Sequence, residues 1–259
     1  MRLASSDPLH NAQAGFRFAA RPFRFSGRIS FLFSTSMLMK WMGCGLQPFD
    51  FRNSIVAPER PDSGFSRRRI ARRGFHATAP ATYTRQGDVS KMNGMETILS
   101  ALVAKVTDAQ IKVDFDAAVA GASARGHGDT DRAGLAGDRW GGRAARIYAG
   151  HSTKLEAVVP DTGWLDGMKS PIKPQDAVDF AAAFKVPVSG LDAGVDGFVR
   201  SAVIDLMRAG LVKSRSSSSF VVFPKVRYGS NAEGRLICDK AASACAQKLT
   251  TDWLKEHSV

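Results

Sequence analysis

The chain has 259 residues, of which 44% are hydrophobic, and it carries a formal charge of +12 with a pI of about 10.0. This length accommodates one large domain or two small ones. The basic balance favours a polyanionic partner such as nucleic acid or an anionic membrane. Three cysteines argue against a disulfide-built secreted fold.

The positive charge is concentrated in the N-terminal third of the chain. Residues 1–91 contain fifteen Lys and Arg against five Asp and Glu, whereas residues 92–259 contain twenty-one against nineteen. We predict a disordered leader or targeting segment over residues 1–91 and a globular core over residues 92–259, with an internal boundary near residue 170. The apolar stretch at residues 29–39 is too short for a bilayer span, which needs about 20 residues, so no transmembrane segment is predicted.

One segment of this leader, "ARRGFHATAP" at residues 71–80, has an arginine two residues before Phe75 and small residues after it. It resembles the cleavage region of fungal mitochondrial presequences. The resemblance implies a mature chain that begins near His76 and a mitochondrial location. Otherwise residues 1–91 are an unstructured or upstream extension, with Met92 or Met95 as the start of a cytoplasmic or nuclear protein. A basic arm that binds nucleic acid is a third alternative.

The first part of the core predicts a helix, then a strand, then a loop. A helix begins at Met95, where apolar residues recur at steps of four. The stretch "QIKVDFD" at residues 110–116 alternates apolar and polar residues and predicts a half-buried strand. Residues 121–150 contain eight glycines and are predicted mostly as loop, ending in a short helix or strand at "RAARIYAG". The stretch "KLEAVV" at residues 154–159 predicts another strand.

The second part predicts two helices, two short strands and a closing helix. An amphipathic helix follows Pro174 in "PQDAVDFAAAFKVP", and a turn covers residues 185–190. A second helix extends from about Val195 to Ala209, with Gly210 as its cap. Residues 211–223, "LVKSRSSSSFVVF", predict two strands around a serine tip. The stretch "ICDKAASACAQKLTTDWLKEH" at residues 237–257 predicts the last helix.

This order of helix, turn, helix and two-stranded ribbon over residues 174–228 resembles the winged-helix family. The resemblance lies in the sequence "LMRAGLV" and its residues Leu206, Ala209, Gly210, Leu211 and Val212. It implies an α+β fold: a poorly ordered basic leader, then a mixed α/β core with a winged-helix-like helix-turn-helix-hairpin segment. It also implies DNA or RNA as the partner.

Two groups of basic residues are the predicted nucleic-acid contacts. The resemblance implies phosphate contacts from the second helix and the wing, through Arg200, Arg208, Lys213, Arg215, Lys225 and Arg227. A separate cluster in the glycine-rich segment combines arginines with Trp140 and Tyr148, and such clusters bind phosphates or stack on bases. Its arginines are Arg139, Arg143 and Arg146.

Sequence motifs for catalysis are absent. The chain contains no Walker phosphate loop, no G-x-S-x-G elbow, no H-E-x-x-H and no C-x-x-C. The stretch "RGHGDTDR" at residues 125–132 places His127, Asp129 and Asp131 in alternation, and imidazole with carboxylates can bind a divalent metal or share a proton. These three residues are candidates for a metal site. No cofactor and no catalytic residue are assigned.

These observations favour a non-enzymatic nucleic-acid-binding or assembly protein. One alternative is a self-assembling structural or protein-interaction protein, which would form a homo-oligomer or bind a protein partner. The other is a small hydrolase or metal-dependent enzyme that uses His127, Asp129 and Asp131.

Overall fold

A four-stranded parallel sheet is the centre of the structure. The computed structural model describes residues 70–80, 82–88, 92, 95–124, 129–195, 199–214, 216–230 and 238–259. Within these residues the strands follow one another in chain order and in space as β1, β2, β3 and β4, with every neighbouring pair parallel. Their bounds are β1 Ala133–Asp138, β2 Leu155–Asp161, β3 Ser189–Val195 and β4 Ser219–Arg227.

Five α-helices and three short 3-10 helices surround the sheet within the described residues. The α-helices are α1 Met95–Ala101, α2 Asp108–Ala124, α3 Trp140–His151, α4 Ser201–Ser214 and α5 Lys240–Glu256. The 3-10 helices are Val103–Lys105, Thr130–Arg132 and Ala177–Ala183. None of the described helices combines the length and the hydrophobicity that a bilayer span requires.

Apolar side chains cover both faces of the sheet, as a parallel sheet requires. Neighbouring residues of β2 illustrate this: Val158 belongs to one buried cluster and Val159 to the other. The first cluster lies under α2, α3, α4 and the 3-10 helix Ala177–Ala183. The second lies under α5, which packs on β2 and β3.

Residues 70–80 are part of the second cluster. Ile70 is 7% exposed and Phe75 is 5% exposed, and both pack with residues of β2 and α5. Arg73 also donates a hydrogen bond of 2.9 Å to the carbonyl oxygen of Gln247 in α5. This stretch therefore contributes apolar side chains to the core.

The strand predicted for "QIKVDFD" is wrong, because this stretch lies inside helix α2. Ile111 and Phe115, four residues apart, are both buried, which is the spacing of one helix face. Val113 lies between them in sequence but is 59% exposed, so the strand-like alternation does not describe the buried face.

The winged-helix segment and the α+β fold class are also wrong. The predicted turn at residues 185–190 leads directly into β3, and the first predicted helix is only the 3-10 helix Ala177–Ala183. The second is α4, and β4 pairs in parallel with β3 from Ser189↔Ser219 onward. Parallel neighbours need a crossover connection, and α4 provides it in place of a hairpin.

The helix at Met95, the strand in "KLEAVV" and the last helix are observed as α1, β2 and α5. The N-terminus of α5 is fixed by Asp239, whose side chain accepts a hydrogen bond of 2.9 Å from the Ala242 N–H. The glycine-rich segment at residues 121–150 is not mostly loop, because it contains β1 and α3.

Candidate functional site

The junction between β1 and α3 is a sharp turn made by one residue, Arg139. Its φ is 57° and its ψ is −115°, a conformation that side-chain-bearing residues rarely adopt. The Arg139 N–H donates to the carbonyl oxygen of Asp161 at 2.9 Å, and its own carbonyl accepts from the Arg143 N–H at 3.1 Å. The turn is thus fixed to the end of β2 on one side and to α3 on the other.

Two glycines flank this turn because the backbones approach too closely for a side chain. A Cβ on Gly137 would lie 2.2 Å from the carbonyl oxygen of Gly141. A Cβ on Gly142 would lie 2.9 Å from the Cα of Gly163 in the loop after β2. The result is a Gly137–x–Arg139–x–Gly141 elbow between a strand and a helix, with Gly142 directly after it. This is the frame that places the nucleophile in α/β-hydrolases.

The residues that follow β2 and β4 meet the elbow at the carboxyl edge of the sheet, where open α/β sheets bind ligands. Thr162 follows β2 with a φ of 46°, and its N–H donates to the Leu191 carbonyl oxygen at 2.7 Å. Its buried hydroxyl has no hydrogen-bond partner among the described residues. Tyr228 follows β4, and its ring centroid lies 5.9 Å from Cζ of Arg139. We refer to Arg139, Thr162 and Tyr228 as the carboxyl-edge group.

Backbone strain supports this location. Among the described residues, three that are not glycine have a positive φ, and two of them are Arg139 and Thr162. Such conformations persist where the surrounding structure imposes them, and they cluster at functional sites. All three members of the carboxyl-edge group are buried.

Two buried ion pairs hold α3 behind the elbow. Arg143 donates to Asp108 of α2 at 2.8 Å and to the Gln175 carbonyl oxygen at 3.0 Å. Arg146 donates to Asp192 of β3 at 2.6 Å. Both arginine side chains are 1% exposed, and a buried charge must be paired because desolvation is costly.

Lys173 adds a third cation near this end of α3. Its Nζ donates to the carbonyl oxygens of Val103 at 2.7 Å and Ala104 at 3.1 Å. Burial, reinforced by the positive charge of Arg143, lowers the pKa of Lys173 to about 8, although Asp108 opposes this shift. The interior beside the elbow therefore contains three cationic side chains, two of them paired with buried carboxylates.

The opposite end of α3 carries a different polar group. The Tyr148 hydroxyl donates to Asp116 at 2.7 Å, and His151 Nε2 lies 3.4 Å from the other carboxylate oxygen of Asp116. Burial, together with the hydrogen bond to Asp116, raises the pKa of Tyr148. This group is at the amino edge of the sheet, away from the elbow.

The predicted phosphate-binding arginines of the glycine-rich segment lie inside the protein. Arg139, Arg143 and Arg146 are 4%, 1% and 1% exposed. Of the other predicted contacts, Arg200 pairs with Asp166 and Arg208 lies 3.5 Å from Asp205. Three more of the predicted contacts are exposed: Lys213, Lys225 and Arg227. Arg215 lies outside the described residues.

The alternating cluster at residues 125–132 is only partly described. His127 lies outside the described residues. Asp129 accepts from the Asp131 N–H at 3.1 Å and pairs with Arg132 at 2.7 Å, at the amino end of β1. The hydrogen bond from the Arg132 side chain, together with the one from the Asp131 backbone N–H, lowers the pKa of Asp129. In the described part of the chain, no three His, Cys, Asp or Glu side chains are grouped to hold a metal ion.

Comparison with known proteins agrees with the parallel sheet. A solved structure from Klebsiella pneumoniae, named as a dienelactone hydrolase, superposes with a TM-score of 0.76 and 29% identity, covering 91% of this chain and 90% of that one. The carboxylesterase Cest-2923 of Lactobacillus plantarum shares the fold, with a TM-score of 0.60, 15% identity, and 91% and 88% of the two chains covered. The protein therefore has the α/β-hydrolase fold.

The family follows from sequence. The profile of the dienelactone hydrolase family matches residues 65–258, so the chain belongs to that family. A relative from Methylorubrum extorquens, named as a carboxymethylenebutenolidase, is 38% identical over 192 residues, which cover 74% of this chain and 66% of the relative. A relative of the same name from Escherichia coli K12 is 34% identical over 190 residues, which cover 73% of this chain and 70% of the relative.

Two interpretations of the sequence are therefore wrong, and a third lacks support. The fold and family are those of hydrolases, which rules out the winged-helix assignment and the prediction of a non-enzymatic nucleic-acid-binding or assembly protein. The small-hydrolase alternative agrees better with the family. The presequence resemblance at residues 71–80 lacks support, because the family match already begins at residue 65 and Phe75 is buried in the core.

The motif search missed the elbow because it required a serine between the glycines. The signal that could have found it is "AGLAGDRWGG", an apolar run followed by two glycines four residues apart, Gly137 and Gly141. Thr162 and Tyr228 carry no such local signal. They reach the elbow only because all four strands are parallel and end at the same edge.

Proposed function

We propose that this chain binds a small ester, lactone or related carboxylate at the carboxyl edge of the sheet, beside Arg139. The observation that carries the proposal is the strained Arg139 elbow, fixed between β1 and α3 in a chain of the dienelactone hydrolase family. In this fold the elbow faces the ligand, and the backbone N–H after it helps to hold the carbonyl oxygen.

The chemistry of the carboxyl-edge group suits an oxygen-rich ligand. A guanidinium, a hydroxyl and a phenol all donate hydrogen bonds, and the first N–H groups of a helix have no partner inside the helix. Here that helix is α3, which begins at Trp140. Donors fixed in a buried site favour carbonyl and carboxylate oxygens, because charge-assisted hydrogen bonds are stronger there.

The names of the relatives supply the ligand class. They specify a dienelactone and a carboxymethylene-substituted butenolide. Both names describe lactones, and the second adds a carboxyl-bearing substituent. We extend this class to the present chain, with the guanidinium of Arg139 as the group that attracts the carboxylate.

Isothermal titration calorimetry with a carboxymethylene-substituted butenolide tests the proposal. We expect saturable binding by the full chain and weaker binding of the same butenolide without the carboxyl group. Arg139→Met keeps an unbranched side chain without the charge and should weaken binding about tenfold, or about 1.4 kcal/mol. Arg208→Met, on the exposed face of α4, is the matched control. Equal affinities for wild type and Arg139→Met would contradict the proposal.

A further inference from the structure

The elbow holds a side chain that cannot act as a nucleophile. Hydrolases of this fold attack the carbonyl carbon with an oxygen or sulfur atom carried at the elbow. In this chain the elbow residue is Arg139. An arginine guanidinium stays protonated in proteins, so it has no lone pair to offer to a carbonyl carbon.

The position of the general base is changed as well. In this fold the histidine follows the nucleophile and the acid in chain order. The chain has no histidine between His151 and His257. Tyr228, directly after the last described strand, stands at the carboxyl edge and faces Arg139 with its ring.

Neither of the two later histidines is near the elbow. His151 is the last residue of the twelve-residue helix that begins beside the elbow, which places it about 17 Å away along the helix axis. His257 follows α5, and its ring contacts that of Trp253 at 4.2 Å between ring centroids. Val259, two residues after His257, lies against Gly134 near the start of β1. The elbow follows the other end of β1, and a strand rises about 3.3 Å per residue, so this region is far from Arg139.

The hydroxyl of Thr162 does not replace the missing nucleophile. It belongs to the carboxyl-edge group, but a hydroxyl needs an adjacent base to attack a carbonyl. The buried carboxylates of Asp108 and Asp192 are already engaged by Arg143 and Arg146.

We infer that this chain forms no acyl-enzyme at its elbow, because Arg139 and Tyr228 stand where the hydrolase fold carries its nucleophile and its base. The inference rests on the proposed function only for the choice of ligand. Arg139 and Tyr228 form a cation–ring contact across the edge. The site keeps the frame of a covalent hydrolase and lacks the two groups that carry out the covalent step.

Intact-mass spectrometry of the full wild-type chain is the first test. The chain is incubated with a fluorophosphonate and, separately, with the carboxymethylene-substituted butenolide. We expect an unchanged protein mass in both cases. A phosphonyl or acyl adduct that peptide mapping places within residues 137–142, at Thr162 or within residues 228–230 would overturn the inference.

The second test installs the missing groups in the double variant Arg139→Ser with Tyr228→His. The new hydroxyl oxygen attacks phosphorus, fluoride leaves, and the new imidazole takes the hydroxyl proton, so that charge and atoms balance. We expect phosphonylation at position 139, at least about 100-fold faster than in Arg139→Ser alone, which is the lower end of general-base catalysis. A double variant that melts cooperatively near the wild-type temperature but stays unlabelled would overturn the assignment of these positions.

A separate variant covers the case in which the double variant does not fold. Arg139→Cys places a small thiol at the elbow, and its alkylation by iodoacetamide is measured in the folded protein against Cys245, which is exposed in the wild type. Alkylation at position 139 would support a ligand-facing elbow. A protected thiol in the folded variant would show that the elbow does not face a ligand and would overturn the inference.

The two proposals fail in different ways. Wild type that neither binds the butenolide nor gains mass would reject the proposed function and leave this inference intact. Binding of the butenolide together with an adduct at the elbow would support the proposed function and overturn this inference. Binding with lactone opening but no adduct agrees with both, because ring opening would then use water directly.

Discussion

The two ends of helix α3 differ in charge and in their relation to the sheet. At the elbow end, Arg139 makes the strained turn, Arg143 is paired inside the protein, and burial with the Arg143 charge lowers the pKa of Lys173 to about 8. At the other end, burial and the hydrogen bond to Asp116 raise the pKa of Tyr148, and His151 is exposed.

This difference shows that the role of a residue in a site depends more on its position in the fold than on its chemical type. His151 is the kind of group that hydrolysis needs, but it is at the amino edge, where open sheets do not bind ligands. Arg139 is an unsuitable nucleophile but occupies the position that we propose to face the ligand. The predictions below test this contrast, beginning with the largest expected effect.

Gly137→Ala should abolish the elbow. Its Cβ would meet the Gly141 carbonyl oxygen at 2.2 Å and the carbonyl carbon at 2.5 Å, and backbone atoms cannot move aside cheaply. We expect a loss of at least about 4 kcal/mol in the free energy of unfolding, measured by urea titration. Gly121→Ala is the matched control, because a Cβ there meets nothing within 4 Å and α2 should gain about 0.5–1 kcal/mol. Similar stabilities for the two variants would contradict the elbow geometry.

Asp192→Asn should leave the charge of Arg146 unpaired behind the elbow. The pair is buried, with a distance of 2.6 Å, and breaking a buried ion pair costs about 3–5 kcal/mol. We expect a loss of about 3 kcal/mol, since the amide keeps one acceptor. The control is Asp252→Asn in the exposed pair with Lys248, which should change the stability by less than about 0.5 kcal/mol. Equal effects would show that the buried pair is not structural.

Lys173, which lies on the elbow side of α3, should make the free energy of unfolding depend on pH. Its pKa is about 8 in the folded state and near 10.5 when unfolded, so the unfolded state holds more protons between these values. Stability therefore rises with pH in this window. We expect wild type to gain about 2 kcal/mol over Lys173→Met between pH 7.5 and pH 10, by urea titration at each pH. Parallel pH curves for the two proteins would show that Lys173 keeps its ordinary pKa.

Tyr148→Phe should have the smallest effect, at the other end of α3. It removes the hydrogen bond of 2.7 Å to Asp116, and a hydrogen bond to a charged group contributes about 1.5 kcal/mol. Partial exposure of Asp116 reduces the expected loss to about 1 kcal/mol by thermal unfolding. His151→Gln is the comparison, with a change below about 0.5 kcal/mol. A larger effect for His151→Gln than for Tyr148→Phe would reverse our ranking of the two contacts.

The parts of the fold that the sequence predicts are those with one strong local pattern. Helix α5 has a capping aspartate, Asp239, and a long amphipathic repeat, and strand β2 is a short run of apolar residues. The stretch "QIKVDFD" fits both a strand and a helix. Ile111, Val113 and Phe115 recur at every second residue, as in a strand, while Ile111 and Phe115 are also four residues apart, as on one helix face. Only packing against α3 decides which period is used.

The strand β4 shows why longer-range features are hard to predict. Its apolar residues follow a serine-rich stretch, which suggests a hairpin with the residues before it. In the structure the residues before it continue helix α4 to Ser214, and β4 pairs with β3 instead. Pairing between strands separated by a helix depends on the whole sheet, and no local pattern records it.

By itself, the sequence of this protein determined its basic charge, the absence of histidine between residues 151 and 257, and the glycine spacing around Arg139. Tertiary structure decided that these features belong together. Parallel strands end at one edge, and this geometry brings Arg139, Thr162 and Tyr228 into one group. It also turns three arginines inward, because buried carboxylates and the elbow hold them there.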